Sequence, residues 1–326
     1  KAWKTGGSKM FIEVDTKVPV RELIKGIAVV SGNDACVALA EHLHGSTDTF
    51  TNVMNETALR LGMKDSHFMN PHGLPNKQQY TTAYDMALLA RNYVREFPAT
   101  LTFHSMQEYT YNGIRQYNRN KLLRKDPSVD GLKTGYIAEA GYHLLVTAKR
   151  RDWRLIAVVM GAKKPAIRER EVRKLLNYGY QNFELLPLFT KGQVMAEIPV
   201  WKGARDTVSL VTADSAMLTI PTEYKTSIHE ERQVPNEMVA PVQQGQVIGK
   251  VIIKLNDNVI KSVPLVAQHE VNKAGFFKAL SHSVYLMSRH NTRALIILIA
   301  IIAFAVAGYF VLMRRRRRRR PTGLRF

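Results

Sequence analysis

The chain is 326 residues long, more than one ordinary domain requires, and its 47 Lys and Arg outnumber its 27 Asp and Glu to give a formal net charge of +20. That balance points first to a nucleic-acid partner, but Arg314 to Arg320 form one unbroken run, so much of the excess is local and the charge does not by itself select such a partner. Cys36 is the only cysteine, which excludes an internal disulfide and argues against a thiol-based metal cluster; no metal or cofactor is expected, and the residue reads as small core filler.

Val20, Leu23, Ile24, Ile27 and Val30 recur with helical spacing, and Ala35, Val37, Leu39, Ala40 and Leu43 predict a second helix after the Ser31-Gly32-Asn33 punctuation. A third helix is predicted from Phe50 to Leu61, stopped by Gly62, and a fourth from Thr82 to Val94 with threonine as its N-cap. Tyr142 to Thr147 and Leu155 to Met160 read as neighbouring antiparallel strands separated by the polar stretch AKRRDWR, and a helix follows around Arg168 to Phe183. Helices, then strands, then a helix make an α+β body over residues 1–185. From Leu186 to about residue 273 short apolar runs broken by Gly, Pro, Asn and Asp predict a small all-β module, with Asn-Asp-Asn in LNDNVI as a hairpin turn.

Residues 274–293 are amphipathic, as a segment lying at a membrane surface would be. Ala294 to Met313 is twenty residues without a charge, long enough to cross a bilayer as one helix, whereas a buried core helix of that length seldom lacks polar residues. The seven arginines beyond it should stay in the cytoplasm, which makes 314–326 a basic cytoplasmic tail and leaves the body on the far side of the membrane. Export of such a body ordinarily uses a signal peptide, and KAWKTGGSKM has no stretch of that type, so the N-terminus is expected to have been removed. That location also removes a nucleic-acid partner for the basic, aromatic stretch YNGIRQYNRNKLLRK, which is expected instead to border a cleft.

Two tripeptides carry chemistry: Ser31-Gly32-Asn33 and Lys133-Thr134-Gly135, the second approached through VDGL. Each alone recurs by chance, and Ser31 could be a plain helix N-cap. Together they match S-x-N and K-T-G, two of the three signatures of serine β-lactamases and penicillin-binding proteins. The third, S-x-x-K, is absent: no serine has lysine at the third position after it, and the nearest case, Thr222-Glu223-Tyr224-Lys225, lacks the serine. The nucleophile is therefore expected before Lys1.

With these motifs, SGNDACVALAEHLHGS, LGMKDSHFMNPHGLP, YTTAYDMALLARNY, NGIRQYNRN and DGLKTGYIAEAGYHLLVTAKR resemble D-alanyl-D-alanine carboxypeptidases of the low-molecular-weight penicillin-binding class, over most of residues 1–275. The resemblance implies a β-lactamase/DD-peptidase-like domain of helices and antiparallel sheet, followed by a small β-sandwich. It implies hydrolysis of the terminal D-alanine of peptidoglycan pentapeptide stems through an acyl-enzyme, with β-lactam antibiotics acylating the same serine, in a protein of the bacterial inner membrane whose catalytic body is periplasmic.

The resemblance also implies roles for six residues. Ser31 relays a proton to the departing amine, and Asn33 holds the substrate amide and the lysine of the missing motif. Lys133 and Thr134 suit a free carboxylate, because a charge-assisted hydrogen bond is among the stronger kinds. Gly135 completes that motif, and Tyr136 offers its backbone N–H to the oxyanion. The Tyr136 side chain departs from the histidine that also occurs there in the family. His72 is assigned no role, and His42 and His44 lie on different helix faces, which argues against a shared metal.

Three other activities stand against this reading. A class A β-lactamase would need a deacylating glutamate in an E-x-x-L-N context, which the sequence does not contain. A DD-endopeptidase is chemically close to the carboxypeptidase. A non-catalytic, membrane-tethered wall-binding protein is the alternative from another class.

Overall fold

The computed structural model describes residues 1–275, Lys278, residues 306–310 and Met313. The chain divides into two compact units, Lys1–Glu184 and Leu185–Phe326.

In the first unit the elements are α1 (Val20–Lys25), α2 (Asn33–His44), α3 (Thr47–Arg60), α4 (Ala83–Glu96), the short α5 (Leu101–His104), β1 (Glu108–Tyr111), β2 (Ile114–Tyr117), the short α6 (Leu122–Lys125), β3 (Val129–Ile137), β4 (Gly141–Arg150), β5 (Trp153–Ala162) and α7 (Pro165–Asn182). Strands β3, β4 and β5 form one antiparallel sheet. Side chains alternate across it, as the two-residue period of a strand requires. Leu144, Val146 and Ala148 of β4 pack with Ala157 against Val172 and Leu176 of α7 and Leu122 and Leu123 of α6. Leu145, on the opposite face, packs with Leu132 and with Ile156 and Val158 of β5 against Met86, Ala90, Tyr93 and Val94 of α4. Helices thus cover both faces.

The helix ends follow local chemistry. Ser46 Oγ accepts the Thr49 N–H at the start of α3, and Thr82 Oγ1 accepts the Asp85 N–H at the start of α4, so each side chain satisfies one orphan donor of the first turn. The helix expected over Val20 to Val30 is not one regular element: α1 ends at Lys25 and the chain widens into a π-type turn over Gly26–Val30. The polar AKRRDWR stretch, read as a connection, is mostly strand, with β4 running to Arg150 and β5 starting at Trp153 around a tight turn whose Arg151 has φ 54°.

The second unit contains β6 (Phe183–Phe189), whose first residues precede the division, then β7 (Val194–Trp201), β8 (Thr207–Thr212), β9 (Ala216–Pro221), β10 (Ile228–Gln233), β11 (Met238–Val239), β12 (Val247–Leu255) and β13 (Asn258–Ala267). Six strands form a sheet in the order β10-β12-β13-β8-β7-β11, and β6 pairs with β9. Both sheets contribute to one apolar core that includes Phe189, Val208, Leu210, Ala216, Val251, Ile253 and Leu265. Strands β12 and β13 are joined through Asn256 and Asp257, both at positive φ (47° and 67°), the backbone that a tight two-residue hairpin demands.

Among the described residues no helix is long and apolar enough to cross a membrane. The expected span at 294–313, the amphipathic segment at 274–293 and the basic tail at 314–326 fall almost wholly outside the described residues.

Candidate active site

Ser31 is not the N-cap of the following helix. It terminates the π-type turn in the left-handed region, at φ 59° and ψ 40°, while Gly32 occupies the cap of α2 without any side-chain cap bond. A non-glycine residue there is strained and must be held by its surroundings. Gly32 N–H closes back on the Gly26 carbonyl at 3.0 Å. Gly32 itself must lack a side chain, since a Cβ would lie 2.9 Å from Asp34 Oδ1 and 3.0 Å from Met10 N.

Asp34 is the clamp of this corner. Its buried carboxylate accepts the N–H groups of Met10, Phe11 and Ile12 at 2.8, 2.9 and 3.2 Å and that of Ala35 at 2.9 Å, tying the N-terminal segment to the start of α2. Asn33, also buried, donates its Nδ2 to the Gly6 carbonyl at 2.8 Å, and its own N–H meets the Ser8 carbonyl at 2.8 Å. Cys36, one turn on, is half-buried rather than fully enclosed, and burial of its thiol pushes its pKa up to about 11.

Lys133 reaches this corner from β3. Its Nζ donates to Ser31 Oγ at 2.7 Å and to the Thr134 carbonyl at 2.8 Å, joining the two tripeptides across 102 positions of sequence. Burial of the ammonium is the main cause that pulls Lys133 down to about 8. The Cys36 thiol opposes the shift, and the guanidiniums of Arg119 and Arg168 add to it. Behind the strand, His104 Nδ1 lies 3.1 Å from the Leu132 carbonyl and its Nε2 lies 2.9 Å from the Tyr93 hydroxyl.

All six residues singled out in the sequence, Ser31, Asn33, Lys133, Thr134, Gly135 and Tyr136, line one cavity of about 1090 Å³. His72 lines it too, with Nδ1 accepting the Leu74 N–H at 3.2 Å and burial lowering its pKa. Tyr136 stacks its ring on Tyr142, centroids 4.3 Å apart.

Sequence reasoning missed Arg168. It is only 5% exposed, yet it lines the cavity, donates Nη1 to the His143 carbonyl at 3.1 Å, and leaves Nε without a hydrogen-bond partner among the described residues. The signal was present: Arg168, Val172 and Leu176 repeat every four residues, which places a charge in line with the buried stripe of α7. Arg119 and Lys121, from the stretch expected to border a cleft, do line it.

Comparison with known proteins follows the same division. A family model described as D-alanyl-D-alanine carboxypeptidase matches residues 1–164, and one for the C-terminal domain of penicillin-binding protein 5 matches residues 183–273. D-alanyl-D-alanine carboxypeptidase DacA of Escherichia coli is 39% identical over 297 residues, 89% of this chain and 74% of the relative. DacF of Bacillus subtilis is 36% identical over 284 residues, 86% of this chain and 73% of the relative. Among solved structures, penicillin-binding protein 5 from Haemophilus influenzae superposes with a TM-score of 0.73 at 38% identity, covering 82% of this chain and 78% of that one. Penicillin-binding protein 6B from Escherichia coli gives 0.64 at 35%, covering 81% and 74%. With two signature tripeptides joined by one hydrogen bond and these matches along most of its length, the chain belongs to the D-alanyl-D-alanine carboxypeptidase family of penicillin-binding proteins.

Proposed function

We propose that this protein is a serine-type carboxypeptidase that removes the terminal D-alanine from peptidoglycan pentapeptide stems, and that β-lactams acylate the same serine. The observation that carries the reading is the 2.7 Å bond from Lys133 Nζ to Ser31 Oγ on the wall of a cavity large enough for a peptide end.

The residues divide the labour as acyl transfer requires. Lys133 and the Thr134 hydroxyl receive the free carboxylate that marks a chain end. In acylation a seryl oxygen attacks the penultimate carbonyl, the amide C–N bond breaks, and D-alanine leaves with a proton. Ser31, hydrogen-bonded to an amine pulled down to about 8, is placed to relay that proton. The Tyr136 N–H and that of the attacking serine hold the developing oxyanion. Water then cleaves the ester and regenerates the serine. No serine of the chain stands in an S-x-x-K context, so the reading assigns the nucleophile and its lysine to sequence outside these 326 residues.

The reading extends to location. Twenty uncharged residues at 294–313, followed by seven arginines, support a single span with a cytoplasmic tail and a periplasmic body at the inner membrane.

Labelled penicillin added to the full-length protein should attach to one serine in an S-x-x-K context, and the same protein should release D-alanine from pentapeptide stems. Absence of a covalent adduct on the full-length protein would leave the non-catalytic, wall-binding reading in its place.

A further inference from the structure

The wall of the active-site cavity carries four cationic side chains, Lys133, Arg168, Arg119 and Lys121. Among the described residues its one acidic lining residue, Glu169, is already paired with Lys125 at 2.8 Å. Arg168 is buried with Nη1 already on the His143 carbonyl, so a substrate with only a terminal carboxylate engages Lys133 and leaves the exposed Arg119 and Lys121 facing solvent.

That outer pair stands on a fixed ledge. Asn118 and Asn120, which alternate with Arg119 and Lys121, are 6% and 2% exposed. Asn118 Nδ2 donates to the Met106 carbonyl at 2.9 Å, and Asn120 Nδ2 to the Gly131 carbonyl at 3.3 Å, two residues before Lys133. Leu122 and Leu123, immediately after, are buried in the core beneath the sheet. Buried asparagines inside and cations outside pin the backbone of Lys121 to the strand that carries the substrate-binding lysine, while its ammonium has no partner among the described residues. Cations preorganised at the mouth of a concave site concentrate and orient anions.

We infer that Lys121, flanked by Arg119, is a specificity-determining cation that recognises a second carboxylate on the stem, so that the preferred substrate is a dianion rather than a peptide with one charged end. This rests on the carboxypeptidase reading above and adds a substrate class to it.

The test uses the full-length enzyme and two synthetic stems ending in D-Ala-D-Ala. One carries a free side-chain carboxylate upstream of that end, and in the other the group is an amide. Because Lys121 is exposed, the ratio of kcat/KM between acid and amide stems should be modest, roughly two- to fivefold, expressed in KM, and it should fade as salt rises. Lys121→Ala should bring the ratio to about one and Lys121→Arg should retain it. Wild-type enzyme with no preference, or a preference that persists in Lys121→Ala, overturns the inference while penicillin acylation remains intact. Failure of wild type to form any penicillin adduct overturns the carboxypeptidase reading itself, and the inference with it.

Discussion

The two units bury very different things. Of the eleven buried polar or charged residues among those described, ten belong to the first unit: Asn33, Asp34, Thr51, Asp85, Asn92, Asn118, Asn120, Thr147, Arg168 and Glu169. Among its described residues the second unit buries only Thr212 beside an aliphatic core. Aliphatic packing is non-directional and fixes a fold, whereas a buried hydrogen-bonded group fixes a particular backbone segment in a particular place. The first unit thus gives part of its interior to holding the SGN turn, the NRN ledge and strand β3.

The sharpest way to break that contrast is Asp34→Ala. It strips four backbone N–H groups of their common acceptor in a buried corner, so the first unit should lose about 3 to 5 kcal/mol in denaturant unfolding. Penicillin acylation should fall with it, because the SGN turn loses its clamp. An effect within 0.5 kcal/mol, which is ordinary for a surface substitution, would show that Asp34 is not the organiser of the corner.

Leu265→Ala is the counterpart in the second unit. Leu265 is fully buried, and removing its side chain should cost about 2 to 5 kcal/mol through lost burial and the cavity left behind. Here the expected result is a lower unfolding midpoint with unchanged penicillin acylation at a temperature where the variant remains folded. A parallel loss of acylation would mean that the contrast between the units is false.

How much of this was legible differs along the same line. Elements that bury an apolar stripe were readable: α2, α3, α4 and the strands β4 and β5 lie where the periodicity placed them, and Thr82 caps α4. The hairpin of β1 and β2 was missed although Asn112-Gly113 sits at its turn with both φ values positive, because the flanking strands are short and polar and carry little alternation. Motif spacing named Ser31, Asn33 and Lys133, and geometry brings them together. Asp34 was not legible as more than a helix residue, since its importance lies in backbone donors that only tertiary structure brings to it, and Arg168 was legible only as a charge in line with an apolar stripe, its cavity being created by the fold.

Lys133 offers a subtler contrast, because its burial acts on function and stability in opposite directions. Its amine is held at about 8, below the ordinary lysine value of 10.5, so between those two pH values the folded protein binds fewer protons than the unfolded chain. Stability should therefore rise with pH across that window, and the rise should be missing from Lys133→Met. Over the same range kcat/KM should fall above about 8, as the ammonium that receives the carboxylate loses its charge. Lys133→Arg should flatten the alkaline limb while keeping measurable binding. A kcat/KM profile that is flat to pH 10 would remove Lys133 from carboxylate recognition.

The smallest expected effect separates backbone from side chain at one residue. The proposed role of Tyr136 belongs to its N–H, which every residue except proline supplies, while its ring is 58% exposed and rests on Tyr142. Tyr136→Ala should cost at most about 0.5 to 1.5 kcal/mol from the lost aromatic pair, with less expected at so open a position. Because the β3–β4 register around Gly135 and His143 remains to hold the strand, penicillin acylation should change by no more than a few-fold. A loss of about a hundredfold, the size associated with removing one oxyanion donor, would mean that the ring rather than the backbone positions the site.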